Sequence, residues 1–226
     1  MTLSRRGWFW APLLIAAALF AIGPVESASA CACCADPGEY RFVPDAPISD
    51  YQRAQLAGIQ FTDTARLYLT DAGEEAVKGL ASVTQENTVS AIIEPARWQL
   101  TFRTADGKSG TLKLIPPARL TTLAADLHET EDAGQGPILY KEWRCEGVAK
   151  GDGIFQEGFA APARYTLVLQ GRGNRCDNAE DFKHWRLEIS GKAASYAFFG
   201  TLRDESSGTK NQKQKNAEEQ QVDTSL

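Results

Sequence analysis

Trp98-Gln99-Leu100-Thr101-Phe102-Arg103 runs through Thr104-Ala105-Asp106-Gly107-Lys108-Ser109-Gly110 into Thr111-Leu112-Lys113-Leu114-Ile115, and this stretch decides the fold class. Trp98, Leu100 and Phe102 alternate with Gln99, Thr101 and Arg103. A period of two belongs to a strand with one apolar and one wet face. The Ala105–Gly110 segment is rich in turn formers and carries Asp-Gly, so the chain reverses there and the second run returns as a hairpin partner.

The same pattern recurs outward from this hairpin. Trp185, Leu187 and Ile189 alternate with Arg186, Glu188 and Ser190, and residues 60–70 are β-branched and aromatic. Residues 138–148, 165–170 and 195–202 read as further strands, separated by Gly-rich or Asn/Asp-rich connections that suit an antiparallel meander. Residues 71–80, with Glu74, Glu75, Ala76 and Val77, predict a short helix closed by Gly79. No long amphipathic helix and no internal repeat accompany them. The fold class expected is mainly β: an antiparallel β-barrel or β-sandwich of about seven to ten strands with at most one or two short helices.

The ends of the chain read differently. Residues 1–30 have the three zones of an export signal: Arg5 and Arg6, an apolar run from Trp8 to Ile22, and a small-residue end at Ala28-Ser29-Ala30. The run is too short, and too interrupted by Pro12, for a membrane-spanning helix, which needs about 20 apolar residues. Cleavage after Ala30 leaves Cys31 first, with no transmembrane segment in the mature chain. Ser4-Arg5-Arg6-Gly7-Trp8-Phe9 resembles a twin-arginine signal, so the export route stays open between that and the general secretory one. Residues 31–50 are a Cys/Pro-rich extended lead-in, with Pro37-Gly38, Pro44 and Pro47 breaking regular structure. Residues 51–202 form a single β-rich domain. From Arg203 only Ala217, Val222 and Leu226 are apolar, so residues 203–226 are expected as a disordered polar tail.

Of the 226 residues, 43% are apolar and 23% charged, a globular composition. Without residues 1–30 the chain keeps 22 basic against 28 acidic residues, a net charge of −6. Phosphate-led binding of nucleic acid is thereby excluded as a primary role. The charge pattern of the signal and its cleavage site suit a bacterial periplasmic or secreted protein. A lipid anchor at Cys31 is the alternative localisation, although Ala28 stands where a lipobox has Leu.

Five cysteines cannot all pair within one exported chain. Cys31, Cys33 and Cys34 place three thiols within four residues, a spacing that presents soft sulfur to one Cu(I) or Zn ion. The competing role is disulfide formation that tethers the start of the chain. Cys145 lies in the register Leu139, Lys141, Trp143, Cys145, and Cys176 in the Gly-rich stretch after Gln170. A Cys145 to Cys176 bridge is the expected structural disulfide.

Catalytic patterns are sparse. His128 sits among Asp126, Glu129, Glu131 and Asp132, an acidic stretch that attracts cations but more often is solvated surface. His184 is three residues from Asp181, which would orient it as a general base in a hydrolase. No Gly-x-Ser-x-Gly, His-Glu-x-x-His or P-loop pattern occurs. Trp98, Phe102, Trp143, Tyr165, Trp185, Tyr196 and Phe198 either fill the core or line a ligand cavity. The function expected is therefore a non-enzymatic β-rich binding or interaction domain of the bacterial envelope, its partner a small ligand or an envelope protein. Soft-metal binding at the N-terminal cysteines is the alternative, and a hydrolase using His184 or His128 a weaker one.

Overall fold

The computed structural model describes residues 35–70, 74–81, 84–128, 137–173 and 178–203. Ten strands carry the fold: β1 (Tyr40–Pro47), β2 (Thr64–Leu69), β3 (Asn87–Glu94), β4 (Arg97–Arg103), β5 (Ser109–Leu114), β6 (Arg119–Asp126), β7 (Leu139–Gly153), β8 (Ala163–Gly173), β9 (Phe182–Gly191) and β10 (Ser195–Thr201). One α-helix, α1 (Asp50–Ala57), joins them, with 3-10 turns at Glu74–Val77, Glu157–Phe159 and Ala179–Asp181. No helix among the described residues is long and apolar enough to cross a membrane.

The sheet closes. β5, β4, β3, β2, β10, β9 and β8 follow one another by antiparallel pairing, and β7 pairs with both β5 and β8 to complete an eight-strand barrel. This decides between the barrel and the sandwich, and closure removes the edges an open sheet would present. The Trp98–Ile115 hairpin is β4 and β5, in the register Trp98 opposite Leu114, Leu100 opposite Leu112 and Phe102 opposite Gly110. Of the helix expected over 71–80, the described residues hold the single 3-10 turn at Glu74–Val77, with Gly79 just beyond it at φ 80°.

β7 is 15 residues long and outruns β5. Its C-terminal part pairs with β5 and its N-terminal part, through Leu139–Cys145, with β6. β5 and β6 thus lie end to end along β7, interrupted at Ile115–Ala118, where Pro116 and Pro117 have no N–H for the ladder. Tyr165 on β8 secures the break: its hydroxyl donates to the Ile115 carbonyl at 2.7 Å. The ring reaches it by lying across β7 at Gly147, where a β-carbon would approach Tyr165 Cε1 to 2.7 Å. Glycine is what permits that crossing.

β6 carries β1 on its far side, so β1, β6 and the N-terminal half of β7 form a panel continuing from β8. Residues 40–47, within the stretch read as an extended lead-in, are thus a sheet strand. Pro44 and Pro47 are tolerated because β1 is the last strand of the panel, where missing N–H groups cost no ladder bond. A register shift between Val43 and Ala46, with Asp45 at φ 45°, bends this edge, and Arg119 binds the Asp45 carboxylate at 2.8 Å. α1 follows through a capping box: the Ser49 hydroxyl accepts from the Gln52 N–H, and the Gln52 side chain accepts from the Ser49 N–H.

The barrel interior is a filled core. All seven aromatic residues singled out in the sequence are at most 5% exposed. Phe102 stacks on Phe198 with centroids 4.1 Å apart, Phe155 meets both edge-on, and Trp143 tilts against Phe182 at 5.1 Å. Each such ring contributes about 1.5–3 kcal/mol by leaving water.

Candidate functional site

The inner and outer faces of the panel differ in kind. The pairings align Phe42, Leu123, Glu142, Gln170 and His184 in one cross-strand row, and Tyr40, Ala125, Tyr140 and Arg172 in the next. Directly paired residues share a face, so these two rows are outward. The alternate residues of β7, namely Leu139, Lys141, Trp143 and Cys145, point inward and are buried.

On the outward face Tyr40 is 72% and Phe42 52% exposed, while Leu123, Ala125 and Tyr140 beside them are half-buried. Next to this aromatic edge lies a connected polar cluster. The Tyr140 hydroxyl donates to Glu142 Oε2 at 2.9 Å and accepts from Gln170 Nε2 at 2.9 Å. Arg144 Nη2 donates to Glu142 Oε1 at 2.8 Å, and Gln170 Nε2 also reaches Glu142 Oε2 at 3.1 Å. Burial alone would raise the Glu142 pKa, but the bonds from Gln170, Tyr140 and Arg144 outweigh it and hold the carboxyl below its usual range. Burial, then the bond to Glu142, pushes the Tyr140 phenol up to about 12. The group presents a fixed carboxylate, a phenol and a guanidinium beside two exposed rings.

The residues singled out in the sequence fall elsewhere. Cys31, Cys33, Cys34 and Cys176 lie outside the described residues, as do Glu129, Glu131 and Asp132. Among the described residues no group of three His, Cys, Asp or Glu side chains is placed to hold a metal. Cys145 is a free, wholly buried thiol whose pKa burial pushes up to about 12. The β7–β8 register puts Gly173, the last described residue before Cys176, opposite Leu139. That is six residues along β7 from Cys145, or about 20 Å. Ala35 packs with Ala124 and Leu139 at this end of β7.

His128 is exposed, at φ 54°, with Nδ1 3.0 Å from Asp126. Asp126 chiefly ties the chain together: it accepts from the Gly38 and His128 N–H groups at 2.7 and 2.8 Å, and those bonds hold its pKa low. His184 is exposed on β9 opposite Gln170 and Thr201. Its supposed orienting residue, Asp181, points inward instead, to Lys141 at 2.7 Å. A lysine in an apolar register signals a buried partner of this kind. A shallow cleft between α1 and the β3–β4 turn, lined by Leu56, Pro95 and Trp98, holds Arg53 and Glu94, which bind Ile48 and Arg97 respectively. No family model matches the chain, and neither does any curated protein or solved structure in the comparisons.

Proposed function

We propose that this chain is a non-enzymatic binding or interaction domain exported to the bacterial envelope, and that its partner is an envelope protein docking on the outward face of the β1, β6, β7 and β8 panel. The observation that carries the reading is the exposure of Tyr40 and Phe42 beside the ordered Tyr140, Glu142, Gln170 and Arg144 cluster. Aromatic and arginine side chains are the enriched anchors of protein interfaces. The two rings stand on an exposed sheet face, whereas small-molecule sites are concave. The barrel lumen, where a ligand cavity was the other expectation, holds packed rings. Export rests on the signal pattern of residues 1–30 with Cys31 as the first mature residue.

The test is retention of the purified mature chain on membrane-free envelope extract. Parent protein should be retained, and Tyr40→Asp combined with Phe42→Asp should lose at least about tenfold in affinity, or about 1.4 kcal/mol, with an unchanged melting curve. Equal retention of parent and double variant removes the panel from the account. Intact mass of the mature protein tests the export half: a chain beginning at Cys31 is expected, and an uncut chain contradicts it.

A further inference from the structure

From the Lys141 and Asp181 geometry we infer a modification site: the two side chains condense into an intramolecular amide that links β7 covalently to the turn preceding β9. Lys141 Nζ stands 2.7 Å from Asp181 Oδ2, and the two residues are only 5% and 7% exposed. The inward register places Lys141 between Leu139 and Trp143 on β7 and opposite Gly171 on β8, and Phe182 follows Asp181 directly. These neighbours are apolar or without a side chain, and taking an ion pair out of water is costly even when the partners touch. Converting ammonium and carboxylate into an amide deletes both charges at once.

The contact is also fixed in place. Two glycines, Gly171 and Gly173, line the approach of Asp181, and a β-carbon on either would overlap it. The turn Ala179–Asp181 is capped by the Asn178 side chain, which accepts from the Glu180 N–H, and is tied to α1 by the Ala179 N–H donating to Gln55 Oε1 at 2.8 Å. Holding two reacting groups in contact turns a bimolecular condensation into an intramolecular one with a high effective concentration.

The step balances within the pair. After one proton passes from the Lys141 ammonium to Asp181, the lysine nitrogen attacks Cγ, and the C–N bond forms as one Cγ–O bond breaks. The nitrogen gives up two protons in all, and these leave with one carboxylate oxygen as water. Nothing is oxidised or reduced, and no cofactor or co-reactant enters.

The experiment is mass spectrometry of the reduced, alkylated protein, intact and after trypsin. The mass should lie one water below that of the processed sequence. Trypsin should fail at Lys141, and the linear Cys176–Lys183 peptide should be replaced by a branched species joining it to residues 120–144. Lys141→Arg, which keeps the charge pair but does not condense, should show its full sequence mass. Asp181→Asn should instead lose one ammonia and give the same branch. Full mass in the parent, with linear Cys176–Lys183 and Glu142–Arg144 peptides, would reduce the pair to an ion pair. A water loss mapped to any other residue would overturn the proposal equally. The decisive readings come from the parent chain, so they stand even where a variant fails to fold.

Discussion

The lumen of the barrel and the outward face of the panel are built from similar residues to opposite ends. Phe102 and Phe198 lie in the lumen, both fully buried and stacked, whereas Tyr40 and Phe42 stand on the panel and keep half or more of their surface in water. Burial in the lumen is repaid by packing; on the panel the rings have no covering in the chain's described residues. The contrast teaches that in this fold aromatic content by itself says nothing about function, and that the face on which a ring sits decides it.

Truncating each region separates them most sharply. Phe102→Ala should destabilise by about 3–5 kcal/mol, because the cavity forms in a closed barrel that cannot collapse. Chemical denaturation measures it, and a loss similar to that of a surface substitution would mean the lumen is not packed.

Alkaline pH attacks the lumen next. Burial raises Cys145 from about 9 to about 12 and raises Tyr165 and Tyr196 as well. A folded-state pKa raised above the unfolded value gives stability that is complete below the unfolded pKa and lost as pH rises toward the folded one. Cys145 alone should therefore cost about 1.4 kcal/mol per pH unit above its unfolded value, with the tyrosines adding to the slope higher up. Denaturation midpoints between pH 8 and 11, as about the range that brackets those unfolded values, read the slope. Cys145→Ala should flatten its lower part, and a pH-independent midpoint would show that these groups are not buried.

Tyr165→Phe removes one hydrogen bond and leaves the Ile115 carbonyl unmatched, at about 1 kcal/mol. Its specific signature is faster hydrogen exchange at residues 115–118. Unaltered exchange there would mean the hydroxyl does not secure the β5–β6 break. At the bottom of the scale, Phe42→Ala on the panel should stay within about 0.5 kcal/mol of the parent. A loss comparable to that of Phe102→Ala would erase the distinction between the regions.

The legible part of the fold was its short-range part. The β4–β5 hairpin, the β9 alternation and the later strands are visible because period two and turn chemistry are local. β1 is hidden by Pro44 and Pro47, which break a central strand but are accommodated on an edge. α1 buries only Leu56, so no apolar stripe announces it, and its one local sign is the Ser49 and Gln52 capping pair. The panel depends on pairing β1 with residues about 80 positions away, such as Tyr40 with Ala125, and neither strand encodes that register by itself. Lys141 is partly legible as a charge in a core register, but Asp181, three residues from His184, carries no local sign of being its partner. The Cys145 to Cys176 pairing rests on their shared place in the β region; Cys176 lies outside the described residues, and Cys145 is a free, buried thiol. Peptide mapping without reduction should recover Cys145 as a free thiol. Recovery of Cys145 in any bridge would contradict its standing as a free, buried thiol.

Hydroxyl-radical footprinting tests the panel most directly, because the chain carries its own controls. Tyr51 and Tyr68 are 53% and 52% exposed, matching Phe42, but lie off the panel on α1 and β2. With envelope extract present, oxidation of Tyr40 and Phe42 should fall severalfold while Tyr51 and Tyr68 stay unchanged. Protection confined to Tyr51 or Tyr68, or none at any of the four, would contradict docking on this face.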